Sequence, residues 1–154
     1  MSVPAPDRKE SKAEFIKVGG EIVGETLKLY GRQCYADIKD SLMIEIYHLA
    51  SRMMECLIRA NDIYTPNTKD KATIEYITIP KQQERVRLFV EAKGNLAALS
   101  NKITELYTVR PVKHKYRGQK KRIGELLDKE YSLVKGMVSS EENKLKKLIA
   151  EVKK

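Results

Sequence analysis

At 154 residues the chain fits one domain with a single buried core. With 42% apolar and 33% charged residues, it is too apolar for a disordered chain and too charged for a membrane-embedded one. The net charge of +9 is concentrated: residues 110–122 hold seven cations and no carboxylate, leaving 23 basic against 21 acidic residues elsewhere.

No apolar run approaches the roughly 20 residues that span a bilayer. The opening "MSVPAPDRKES" lacks the apolar core of a secretory signal, so a cytoplasmic protein is expected. Cys34 and Cys56 form no C-x-x-C pair, and their expected state is two small thiols on helices.

Residues 1–10 read as a disordered tail, because Pro4 and Pro6 oppose a helix there. Ser11 and Glu14 match a capping box, which predicts a first helix from about Lys12 to about Tyr35. Ile16, Val23, Leu27, Tyr30 and Cys34 would line its inner face, and Gly20 and Gly24, one turn apart, offer a close approach to a neighbouring helix. A second helix is predicted from Asp40 to about Ile63, with Leu42, Ile46, Leu49, Met53, Leu57 and Ala60 as its stripe and Met43, Ala50, Met54 and Ile58 widening it.

Pro66 and Asn67 end that helix, and the alternation in "TIEYITI", Thr73 to Ile79, reads as a short extended piece in a long connection from Tyr64 to Gln82. The third helix, about Lys81 to Tyr107, carries Phe89, Ala92, Leu96, Leu99, Ile103 and Leu106 at steps of three and four. Pro111 ends it. A fourth helix starts within 115–120 and reaches at least Val138, with Ile123, Leu127, Val134, Met137 and Val138 on its face. "SSEENKLKKLIAEVKK" either continues it or begins a fifth helix capped by Ser140. The expected fold is all-α, an antiparallel up-down four-helix bundle over 11–140 with a C-terminal helical extension over 141–154.

No phosphate-binding glycine loop, nucleophile elbow or H-E-x-x-H zinc motif is present. Glu45 and His48 form one E-x-x-H pair, whereas a di-metal bundle needs two such pairs and further carboxylates. No cofactor is expected, and His48 reads as an ordinary helix residue. The basic segment has three readings. It grips nucleic-acid phosphates through Arg110, Lys113, His114, Lys115, Arg117, Lys120, Lys121 and Arg122, with Tyr107 and Tyr116 placed to stack on an unpaired base. It is a solvated loop that only keeps the protein wet. Or it meets an anionic membrane, which its lack of apolar anchor residues disfavours. The focusing of the charge favours the first.

Three stretches carry a resemblance: "SLMIEIYHLASRMMECLIRAND", "ERVRLFVEAKGNLAALSNKITELYTV" and "QKKRIGELLDKEYSLVKGMVSS". Together they resemble the four-helix-bundle family of 23S ribosomal RNA intervening-sequence proteins, and within it the accessory variability determinants of diversity-generating retroelements. The resemblance implies a homo-oligomer, a pentameric barrel. It implies binding to a reverse transcriptase and its template RNA, or a DNA–RNA hybrid, in support of complementary-DNA synthesis without catalysis. The long 64–82 connection, the tail after Ser140 and the four glycines of the first helix depart from the family pattern. The alternative expectation is a helical oligomerisation or interaction module with no nucleic-acid role.

Overall fold

In the computed structural model, residues 5–111 and 117–154 are described, with the side chains of 5–13 and 33 excepted. Among the described residues there is no strand, and helices account for nearly the whole chain. Four long helices pack together: α1 (Ala5–Tyr30), α2 (Ile44–Asp62), α4 (Ile79–Val109) and α5 (Arg117–Lys153), with the three-residue α3 (Lys71–Thr73) leading into α4. α1 packs on α2 and α5, and α4 packs on the same two. The Phe15 and Phe89 rings meet edge to face across the middle, 5.6 Å between centroids and 79° apart. Among the described residues, no helix is long and apolar enough to cross a membrane.

The third predicted helix is realised most faithfully. Phe89, Ala92, Leu96, Leu99, Ile103 and Leu106 are all buried. In α2 the predicted face holds at Ile46, Ala50, Met53, Leu57 and Ala60, which are buried, as is Met43 just before the helix; Leu42, Leu49 and Met54 are half-buried and Ile58 is exposed. In α1 the face is turned by one position. Phe15, Val18, Ile22 and Leu29 are buried, whereas Ile16, Val23 and Tyr30 are half-buried and Leu27 is 50% exposed. The apolar residues alone mislead here because Glu25 and Thr26 occupy inward positions; the Thr26 hydroxyl donates to the Val23 carbonyl at 2.8 Å.

The ends differ from expectation for local reasons. α1 begins at Ala5 rather than Lys12, which places Ser11 inside the helix and replaces the expected tail over residues 5–10; residues 1–4 lie outside the described ones. Pro6 sits in the first turn, where a missing N–H costs no hydrogen bond. α1 stops at Tyr30, five residues early, because Gly31 follows and Arg32 is extended at φ −74°, ψ 127°. Cys34 and Tyr35 then fall on a 3₁₀ segment, Gln33–Ile38, followed by a π-helical turn, Lys39–Met43, that runs into α2.

The "TIEYITI" stretch is helical, not extended. Asp70 caps α3 by accepting from the Thr73 N–H at 3.0 Å. A π-helical turn, Ile74–Thr78, follows, with the Ile79 N–H reaching the Ile74 carbonyl. This widened turn delivers Pro80 to the first turn of α4, where its lack of an N–H is tolerated. The connection between long helical runs thus shortens to residues 63–70. At the other end α5 passes unbroken through Ser140.

The glycine pair Gly20 and Gly24 makes no close helix contact, since a Cβ at either would meet nothing within 4 Å. Gly19 does: its Cβ would lie 2.9 Å from Met54 Sδ and 3.0 Å from Glu130 Oε2. Glu141 of α5 is buried beside Gln82 and Arg85 of α4, accepting from Gln82 Nε2 at 2.6 Å and from Arg85 Nε at 3.0 Å. Arg85 also donates to the Ala60 carbonyl at 2.7 Å, closing the C-terminal end of α2.

Candidate nucleic-acid interface

The corner of interest lies where α4 ends and α5 begins. Arg110 leaves the helical conformation at φ −123°, ψ 86°, while its N–H still reaches the Leu106 carbonyl at 2.8 Å. Its guanidinium is ion-paired with Asp37 of the 3₁₀ segment. Lys113, His114, Lys115 and Tyr116 lie outside the described residues. From Arg117 onward α5 displays its cations at successive positions, with no acidic residue in its first turn.

The cations divide by partner. Arg122 is bound into the fold: its Nε lies 3.0 Å from Glu25 Oε1 and a terminal nitrogen lies 3.9 Å from Glu21. Arg117 is exposed, with no ion pair among the described residues. Lys120 is exposed and stands over the Tyr107 ring, 5.4 Å from its centroid. Lys121 approaches only Glu125 of its own helix, at 3.9 Å, a surface contact of little worth. Sequence reading treats all these cations alike. The structure instead uses Arg110 and Arg122 to join elements and leaves Arg117, Lys120 and Lys121 facing water.

Glu25 explains why Arg122 is held. Its side chain is 5% exposed, so burial pushes its carboxyl up; Lys28 at 3.1 Å and Arg122 more than offset this and hold it below the usual carboxylate range. Arg117, Lys120 and Lys121 have no such buried partner. They also sit at the positive end of the α5 dipole, where a cation is disfavoured and an anion is welcome. An anion placed there relieves both the crowding of like charge and the end of the helix.

Tyr107, expected from sequence to stack on an unpaired base, has its ring beneath Lys120. It is half-buried against the core, and burial raises its hydroxyl pKa well above the ordinary value, with Tyr35 and Glu25 adding to the effect. Its ring borders a groove of about 270 Å³ between α4 and α5, with Lys120 at one end. A second hollow, reaching Tyr131, shares Ser100, Leu127 and Asp128 with the first, so the groove runs on along the two helices.

The E-x-x-H pair lines one shallow surface hollow between α2 and α4, together with Arg52 and Lys102. Glu45 is bound by Lys102 at 3.1 Å and His48 is exposed beside Tyr47. Among the described residues no group of three His, Cys, Asp or Glu is placed to hold a metal ion.

Several functional partners carried no sequence signal. Glu25 and Asp37 are ordinary helix-surface letters until the fold brings Arg122 and Arg110 to them. The groove went unread in the sequence; the signal that could have found it is the spacing of hydroxyls four apart at Ser100, Thr104 and Thr108. Compared with models of known families, with curated proteins and with solved structures, the chain matches none of them.

Proposed function

We propose that the protein is a non-enzymatic RNA-binding accessory factor that works beside a reverse transcriptase. It holds the template RNA, or a DNA–RNA hybrid, at the α4–α5 corner. The observation that carries this reading is the trio Arg117, Lys120 and Lys121, exposed at the positive end of α5 with no acidic residue in its first turn. The polymerase partner and a pentameric assembly rest on the resemblance of the three quoted stretches. The up-down antiparallel order of the helices rests instead on the four amphipathic segments, and contacts from Arg122 to Glu25, Lys129 to Glu14, Lys102 to Glu45 and Gln82 to Glu141 support it.

Filter binding of a single-stranded RNA at several salt concentrations tests the proposal. Five phosphate contacts, from Lys113, Lys115, Arg117, Lys120 and Lys121, give a log–log salt slope of roughly −3.5 on single strands. The triple variant R117E/K120E/K121E is expected to lose binding while remaining folded. Arg122 is left out of it because a glutamate there would face the buried Glu25. Undiminished binding by the triple variant removes the corner from the interface.

A second reading, a helical interaction module, is favoured by the exposed Tyr64, Tyr76 and Ile77 near the far end of α4. Light scattering with and without RNA separates the two. Self-association together with no RNA affinity at about 50 mM salt, where phosphate contacts are strongest, supports the second.

A further inference from the structure

The groove beside the basic corner offers more than charge, and we infer that it receives one unpaired, amino-bearing nucleobase of the bound strand. The inference rests on the RNA-binding reading above and deepens it. Three features of the groove carry it.

Its size is the first. At about 270 Å³ it falls just under the range of pockets that take whole drug-sized ligands, and it is too small for a duplex. Its floor is open where a side chain is missing: Gly124 lies in the lining, and a Cβ built there would meet nothing within 4 Å.

The second is continuity with the phosphate-facing cations. Lys120 lines the groove and also belongs to the exposed trio, one turn before Gly124. A strand whose phosphates lie on Arg117 and Lys121 therefore passes the groove mouth within one nucleotide. A base turned inward meets the apolar Leu127 and the edge of the Tyr107 ring, while its phosphate stays with Lys120.

The third is the hydrogen-bonding character of the lining. The Thr104 hydroxyl donates to the Ser100 carbonyl at 3.0 Å, and the Thr108 hydroxyl donates to the Thr104 carbonyl at 2.9 Å. Both protons are spent on backbone, so these oxygens face the groove as acceptors. Asp128 adds a carboxylate. An acceptor-rich wall suits the exocyclic amine of cytosine and repels the carbonyl that uracil carries in its place.

The test uses the full-length protein and labelled oligocytidylate and oligouridylate of about a dozen residues, with inorganic polyphosphate as a charge-only probe. G124L fills the groove and leaves Arg117, Lys120 and Lys121 in place. It is expected to weaken oligocytidylate binding about tenfold and to leave polyphosphate binding unchanged, since one base contact is worth about 1–3 kcal/mol. The unaltered protein is expected to prefer oligocytidylate over oligouridylate, and D128N to erase that preference.

If G124L binds oligocytidylate as the unaltered protein does while R117E/K120E/K121E does not, the groove is empty of base and only the corner survives. If G124L changes the molecular mass in solution and not the RNA affinity, the groove is a subunit contact and the inference falls. If the unaltered protein binds neither RNA nor polyphosphate, the RNA-binding reading itself fails. Equal binding of the two oligonucleotides overturns the reading of the base edge.

Discussion

Glu130 is fully buried and neither of its carboxylate oxygens has a hydrogen-bond partner among the described residues. Burial pushes its pKa up to about 8, Glu14 adds to the rise, and Lys129 opposes it. The folded pKa exceeds the unfolded value of 4.5, so the folded state holds the extra proton between those limits. Its contribution is present in full below pH 4.5 and is lost as pH rises through about 8. At pH 7 the penalty relative to a solvated glutamate is on the order of 3 kcal/mol. Glu130→Gln is expected to flatten the stability profile between pH 5 and pH 8, measured by urea unfolding at each pH; an unchanged slope refutes it. Glu25 acts in the other direction and in another window. Its pKa is lowered, so its contribution is present above the unfolded value of 4.5 and is lost as pH falls through the folded one. Arg122→Ala is expected to cost about 1 kcal/mol at neutral pH, with the difference from the unaltered protein shrinking in acid. Neither residue could be picked out from the sequence. A glutamate on an amphipathic helix reads as surface, and only the position of Gly19 opposite Glu130, or of Arg122 opposite Glu25, reveals otherwise.

At the scale of elements, the part of α5 beyond Ser140 is tied to the rest rather than appended to it. Glu141 closes a buried network with Gln82 and Arg85, and Lys144 donates to the Thr65 hydroxyl at 2.9 Å. Burial raises the Glu141 pKa, and Gln82 and Arg85 more than offset this, so the carboxylate stays ionised. Glu141→Ala leaves the Arg85 charge buried without its partner and is expected to cost about 3–5 kcal/mol. The pair R85M/E141L is expected to recover most of that loss, a result readable as the interaction term of a double-mutant cycle. Truncation after Ser140 should destabilise as Glu141→Ala does, and a truncated protein of unchanged melting temperature contradicts the assignment. The sequence made α2 and α4 legible because their apolar spacing is regular and matches what packs. It failed at "TIEYITI" because Thr and Ile at alternate positions imitate a strand, while Asp70 and the widened turn decide for helix. It failed at the face of α1 because the inward positions include Glu25 and Thr26.

For the molecule as a whole, formal charge overstates the surface available to a polyanion. Of the described cations at the corner, Arg110 and Arg122 are engaged by carboxylates from other parts of the chain. With those two withheld, five of the seven cations remain, so the measured salt slope should lie near roughly −3.5 on single-stranded RNA; seven contacts would give roughly −5. A slope near the larger value means that Arg110 and Arg122 leave Asp37 and Glu25 on binding, which a drop in thermal stability upon RNA saturation would reveal. The location of the charged corner was legible in the sequence, since it needed only a count between Glu105 and Glu125. The division of labour within it was not, because the carboxylates that hold Arg110 and Arg122, Asp37 and Glu25, are more than 70 residues away.

The π-helical turn at Ile74–Thr78 behaves as an inserted residue in an otherwise regular rod. Deleting one residue within it would restore ordinary winding and swing everything upstream by about 100°. Ile74 would leave the core and the Asp70 cap would point elsewhere, while Phe89 through Leu106 kept their places. A single codon lost here would thus re-aim the 63–70 loop without disturbing the bundle's middle.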